Sequence, residues 1–218
     1  MNAGSVDRLI ELGRDREAAE RAVRDAVQPT ADEEAPMLGP VEQFDVLIPS
    51  FLRVGSAIDD ASLEAVTPCD GWVVRDLLEH MNGGARAFAA AFEGRAVVER
   101  DLGDDPIAVV GEALAEFDVA IRAPGALEQT VESPFGSMPG EVFARLAALD
   151  LLVHTWDLGR ATGQDIDIAG AVVESVDGFA RQAITDEWRR PGVFGREVAA
   201  TPNGSSMDAL AAFTGRRP

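Results

Sequence analysis

Asp150-Leu151-Leu152-Val153-His154-Thr155-Trp156-Asp157-Leu158-Gly159-Arg160-Ala161-Thr162-Gly163 sets a carboxylate, an imidazole and a second carboxylate at helical spacing inside an otherwise apolar segment. On a helix, residues three and four apart share a face, so Asp150 and His154 project together and Asp157 lies on the same side one turn further on. That spacing suits a divalent cation. The one other histidine of the chain, His80, ends a second apolar helical pattern, Val73-Val74-Arg75-Asp76-Leu77-Leu78-Glu79-His80. Two helices could therefore converge on one ion.

Outward from this run, the spacing predicts a helix over 141–161, closed by Thr162-Gly163. Three further core helices are expected near 40–58, 73–93 and 107–122. The first carries Val41, Phe44, Leu47, Ile48, Phe51 and Leu52 at intervals of three and four, with Pro49 as a kink. In the second, Gly83-Gly84 follows the histidine. Glycine costs about 1 kcal/mol in a helix interior, so the pair reads as a close helix approach or an irregularity beside His80. Asp104-Asp105-Pro106 has the form of a helix start ahead of Val110, Leu114, Phe117 and Ile121. Residues 130–140 read as a loop with one short extended piece, placed as a candidate lid. A fifth helix is expected over 170–188, then a tail with one strand at 196–200 and a short helix at 207–213.

Before the core, residues 6–27 predict a largely solvated helix with a thin apolar stripe, and 29–36 an acidic, proline-bearing linker. The division is 1–36 for this appendage and 37–218 for one metal-binding helical domain. The class is all-α: an up-and-down four-helix bundle with an extra amino-terminal helix and a carboxy-terminal helical and irregular tail. In such bundles, metal sites are built from side chains on facing helices.

With 38 acidic and 19 basic residues the formal net charge is −19, which disfavours phosphate backbones and anionic lipid as partners. A single cysteine, Cys69, excludes an intrachain disulfide and points to a reducing compartment. No apolar run approaches the roughly 18 residues of a spanning helix, and Met1 to Glu17 is too polar for a signal sequence, so a cytoplasmic location is expected. Glycine-rich phosphate loops, Cys-x-x-Cys pairs, His-Glu-x-x-His and Gly-x-Ser-x-Gly are absent from the sequence.

Thr67-Pro68-Cys69-Asp70-Gly71-Trp72, followed by Val74-Arg75-Asp76-Leu77-Leu78 and His80, and later Leu152-Val153-His154-Thr155-Trp156-Asp157-Leu158 with Arg160-Ala161-Thr162-Gly163, resemble the DinB-like superfamily of metal-binding four-helix proteins. The resemblance is closest to the amino-terminal domain of mycothiol-dependent maleylpyruvate isomerases and their actinobacterial relatives, and covers about 40–218. It implies a divalent metal, zinc in the isomerase and with nickel or iron as alternatives here, held by His80, Asp150 and His154. It also implies a low-molecular-weight thiol as cofactor. Three protein ligands with a position left for water or substrate is the pattern of a catalytic zinc. Asp150 stands where the isomerase has the longer glutamate. Val73 stands where relatives often have a capping threonine. The residues after Gly163 are too few to supply the isomerase's further carboxy-terminal domain.

Blander readings stand beside these. A histidine on an apolar helix face is more often a hydrogen-bonded core residue than a ligand. Asp157 reads as a residue behind the ligands that orients one of them, as a surface acid, or as a partner of Arg160. Trp72 and Trp156 read as core aromatics or pocket walls, and Cys69 as an inert buried thiol or one near the metal. Two function classes follow: a metal-dependent, thiol-cofactor transferase or isomerase acting on a small molecule, or a metal-binding or assembly module without turnover. The apolar stripe of residues 6–27 also has to be covered, by the chain's own core or by a second copy, and a homodimer is the expectation. Light scattering should give a dimer mass for the full chain. A monomer mass unchanged on deleting residues 1–30 would contradict it.

Overall fold

The computed structural model describes residues 37–133, 136–190, 193–202 and 204–218. The expected amino-terminal helix and linker lie outside these. The elements are α1 (Pro40–Gly55), α2 (Val74–Glu93), α3 (Pro106–Ile121), β1 (Thr130–Ser133), β2 (Gly136–Pro139), α4 (Gly140–Thr162), α5 (Gly170–Ala183) and α6 (Ser206–Phe213). Among the described residues the only sheet is the β1–β2 hairpin, so the molecule is all-α in class. No helix among them is long and apolar enough to cross a membrane.

Local chemistry accounts for the helix limits. Proline opens α1 and α3, where its missing N–H would have had no helical partner. The Asp105 carboxylate caps α3 by accepting from the Ala108 N–H at 3.0 Å. At the start of α2, Asp76 accepts from the Val73 N–H at 3.0 Å. The reciprocal bond of a capping box cannot form, because valine has no side-chain oxygen. Gly94 and Gly163 close α2 and α4 in the left-handed conformation, with φ of 62° and 67°.

Helix α4 is the central element. Phe143, Leu149, Leu152 and Leu158 on it are fully buried, and α1, α2, α5 and α6 all pack against it. Helices α1 and α2 each lie between α3 and α4. Helix α2 runs against α4: His80 in its second turn meets His154 near the end of α4, while Phe88 and Phe92 meet Phe143 near its start. Phe44, Phe88, Phe92, Phe117 and Phe143 join all four core helices in one aromatic cluster, with centroid separations of 5.0–5.8 Å. This fixes α2 against α4 below the histidines.

Several expectations need correction. Helix α1 ends at Gly55, short of position 58, and runs through Pro49 as one element. Helix α2 is likewise unbroken at Gly83-Gly84, and a Cβ at Gly84 would meet only Phe88 Cε2, at 3.9 Å, so no close helix approach requires glycine at that second position. The fifth helix stops at Ala183, with a separate single turn at Asp186–Trp188. No strand forms at 196–200. Val198 donates its N–H to Ala212 O at 3.0 Å, pairing this segment with the end of α6 instead of with another strand.

The stretch 130–140 holds, instead of one short extended piece, two strands, Thr130–Ser133 and Gly136–Pro139, that pair antiparallel with Val131 opposite Met138, and both of these side chains enter the core. It is not a lid. It leads directly into α4 and lies at the Phe92 end of α2, where Gln129 Nε2 donates to Phe92 O at 3.1 Å. At 1.5 Å per residue, the ten residues from Gly140 to Asp150 put it about 15 Å along the helix from Asp150 and further from His154.

Two glycines give opposite predictions. A Cβ at Gly140 would stand 2.2 Å from Ala126 O, a backbone atom that cannot move aside. Gly140→Ala should therefore destabilise by about 1–3 kcal/mol, whereas Gly84→Ala should stabilise by about 1 kcal/mol. Thermal unfolding of the two variants should shift in opposite directions.

Candidate metal centre

The loop that follows α1 builds one wall of the site. The Thr67 hydroxyl accepts from the Cys69 N–H at 3.2 Å and donates to Trp72 O at 2.9 Å. Trp72 N–H returns to Cys69 O at 3.0 Å, around Gly71 at φ 77°. The Thr-Pro-Cys-Asp-Gly-Trp motif is thus a closed turn. It seats the Trp72 ring 5.1 Å from the ring of His80 and, stacked at 26°, 6.4 Å from that of His154.

Helices α2 and α4 supply the donors. Asp150 Oδ1 lies 3.4 Å from His80 Nε2 and 3.3 Å from His154 Nε2, with the two imidazole centroids 4.8 Å apart. Both separations exceed the usual 2.7–3.2 Å of an N–H···O hydrogen bond. They match the edge of a tetrahedron, about 3.3 Å, drawn around an ion with ligands near 2.0 Å. Two edges of the triad thus have the length that a small divalent cation requires, and all three donor atoms lie within 4.8 Å of one another, with the short aspartate close to both imidazoles. His80 and Asp150 keep 28% and 32% of their side-chain surface exposed, so the triad faces solvent on one side. On the other side Asp150 borders an apolar crevice lined by Phe44, Met81, Phe88, Phe117 and Leu151.

Behind the triad stands a second layer. The His154 ring nitrogen Nδ1 lies 2.9 Å from Asp157 Oδ2. Asp157 has no exposed surface and also accepts from Arg216, Nη2 to Oδ2 at 3.0 Å and Nε to Oδ1 at 3.3 Å. The Cys69 thiol donates to Asp157 Oδ2 at 3.2 Å. With Nδ1–H given to Asp157, the His154 lone pair sits on Nε2, on the side of Asp150 and His80. Arg160 takes no part in this. Its guanidinium lies over the Trp156 ring, 5.5 Å from the centroid, so its reading as the Asp157 partner is corrected. Trp156 is a core aromatic whose Nε1 donates to Asp208 at 3.3 Å.

Burial alone would raise the Asp150 carboxyl, but the charges of His154 and His80 outweigh it and hold Asp150 far below the usual carboxylate range. Burial alone would likewise lower His154. The Asp150 carboxylate and hydrogen bonds to Asp150, Asp157 and Cys69 prevail and keep it well above its ordinary value. Asp157, also raised by burial alone, is held below its ordinary value by His154 and Arg216.

The residue that sequence reasoning missed is Arg216, 59 positions from its partner Asp157. It arrives through the end of α6, where Arg216 N–H donates to Ala211 O at 2.9 Å and Gly215 N–H to Ala212 O at 3.0 Å, with Gly215 at φ 95°. This Schellman closure turns the chain back toward α4. A glycine after the apolar run 207–213 was the only signal available.

The profile of the mycothiol maleylpyruvate isomerase N-terminal domain matches residues 44–159. The chain belongs to this family. Its matched span contains Cys69, His80, Asp150, His154 and Asp157, and stops before Arg216. Two uncharacterised proteins, from two strains of Mycobacterium tuberculosis, are 35% identical over 155 residues, covering 69% of this chain and 82% of theirs. A crystal structure of a histidine-to-alanine mutant of the mycothiol-dependent maleylpyruvate isomerase superposes with a TM-score of 0.51 at 17% identity, over 66% of this chain and 68% of that one. At that identity the likeness concerns the fold.

The buried pair yields a prediction. Asp157→Ala strands Arg216 and the His154 Nδ1–H, and should cost about 3–5 kcal/mol of stability. Replacing both Asp157 and Arg216 with apolar residues should cost less than the sum of the single changes. Urea unfolding of the four proteins of this cycle measures the coupling, and strict additivity would contradict it.

Proposed function

We propose that His80, Asp150 and His154 bind one divalent cation, zinc in the first place with nickel or iron as alternatives, and leave a coordination position open. The sequence resemblance implies this metal, and the two Asp150–imidazole distances suit it. We further infer that the protein is a metal-dependent transferase or isomerase that acts on a small molecule with a low-molecular-weight thiol of the mycothiol type. The observation that carries the reading is the convergence of two imidazole nitrogens on one oxygen of a partly exposed carboxylate. When bound, the metal would lower the pKa of a thiol or water and so supply a nucleophile at neutral pH.

The chain's own residues have separable tasks in this reading. His80, Asp150 and His154 hold the ion. Asp157 orients His154 and keeps its proton on Nδ1. Trp72 covers one flank of both imidazoles with an apolar face, and the crevice beside Asp150 supplies another. We place the site in one domain of residues 37–218 in a cytoplasmic protein.

The 218-residue chain at pH 7.5 should take up one zinc per chain. His154→Ala should lose most of it, and Asp157→Ala should bind about 10- to 100-fold more weakly. Thiol-dependent turnover in the zinc-loaded protein, absent from His154→Ala, would support the enzyme. Stoichiometric zinc with no turnover over a panel of thiols and electrophiles would favour the binding module.

Metal uptake should depend on pH in a defined direction. The raised pKa of His154 stabilises the metal-free fold fully below the unfolded value near 6.5, and this stabilisation is lost as pH rises through the higher folded value. Zinc must displace that proton, so its affinity falls steadily as pH drops below the raised folded value of His154, already above 6.5. The increase in unfolding temperature on adding zinc should accordingly be larger at pH 8 than at pH 6. An increase independent of pH would contradict His154 as a ligand.

A further inference from the structure

The site holds two donor triads that share one imidazole. Besides His80, Asp150 and His154, the side chains of Cys69, His154 and Asp157 place ligand atoms within 4.8 Å of one another. Asp157 Oδ2 stands 3.2 Å from Cys69 Sγ and 2.9 Å from His154 Nδ1. These spacings are within about half an ångström of tetrahedral edges for zinc bonds of about 2.0 Å to N or O and 2.3 Å to S. The second triad is the more buried of the two and contains a thiol, a soft ligand that zinc favours. Donor chemistry alone would therefore let it compete for the metal.

One group stands in the way. Arg216 Nη2 lies 3.0 Å from Asp157 Oδ2 and 3.6 Å from Cys69 Sγ, and its Nε lies 3.3 Å from Asp157 Oδ1. A guanidinium carries only donors, stays charged, and here spans the two ligands that a metal would have to bridge. We propose that Arg216 acts as a built-in cation that excludes metal from the Cys69–His154–Asp157 triad and so determines that His154 binds through Nε2 and not Nδ1. The choice is exclusive, because neutral imidazole has one lone pair. A metal on Nδ1 needs the proton on Nε2, which would remove a ligand from the triad with His80 and Asp150. Arg216 is thus a positioning residue that acts through Asp157, and the carboxy-terminal cap of α6 sets which of two sites exists. This deepens the metal reading of the His80 triad and rests on it.

Cobalt(II) separates the alternatives, because a thiolate ligand adds a near-ultraviolet charge-transfer band that N and O ligands do not. The full chain at pH 7.5 should take up cobalt without that band, and so should R216K, which keeps a cation. R216Q and the apolar R216M, each checked for native helix content by circular dichroism, should show the band at one thiolate per cobalt. It should vanish in R216Q/C69S and persist in R216Q/H80A, because the second triad does not use His80. A thiolate band in the unaltered chain, or folded R216Q and R216M that take up cobalt without one, would overturn the inference while leaving the His80 triad intact. No uptake by the unaltered chain, with a thiolate band in R216Q, would sink the metal reading of the His80 triad, and with it the choice of Nε2, while still showing that Arg216 keeps metal out of the second triad.

Discussion

Both nitrogens of the His154 ring are committed, and the structure depends on that constraint. Nε2 faces the Asp150 carboxylate while Nδ1 is tied to Asp157, on a helix packed by neighbours on almost every side. A buried polar group without a partner costs several kcal/mol, so each residue in this chain of contacts requires the next. His154 needs Asp157, and Asp157, with no surface of its own, needs Arg216. Arg216 in turn needs the cap that ends α6. The carboxy-terminal tail is in this sense part of the site, although it lies beyond the span that matches the family.

The two ends of the bundle divide the work. At one end the phenylalanine cluster and the β1–β2 hairpin set the distance and register of α2 against α4 without any polar chemistry. At the other end, that register brings His80 opposite Asp150 and His154, and the Thr67–Trp72 turn lays Trp72 over both rings. The apolar stripes define the bundle, and the polar end adds one interlocked chain of contacts to that frame. Its like-for-like counterpart elsewhere in the chain is missing: the sequence has only these two histidines.

Most of the helices were legible in the sequence, and the reasons are local. Periodicity, Asp105-Pro106 at one helix start and Gly163 after another are signals spread over a few residues, and the observed limits of the core helices fall within three residues of the expected ones. The pairing of Asp150 with His154 was legible for the same reason, as one turn of helix. What was not legible is set by distant partners. The hairpin replaces an expected lid because Val131 and Met138 find the core, and residues 196–200 pair with the end of α6 and not with a strand. Arg216 is recognisable as a site residue only once the chain has folded back on α4.

The central claim is that His80, Asp150 and His154 form the primary coordination of one divalent cation. Zinc K-edge X-ray absorption on the zinc-loaded full chain tests it most directly. The account predicts one zinc per chain with two imidazole nitrogens and a carboxylate oxygen near 2.0 Å, completed by a light exogenous ligand and no sulfur. Failure to load zinc, nickel or iron at pH 7.5, or a spectrum with a single imidazole, would contradict it.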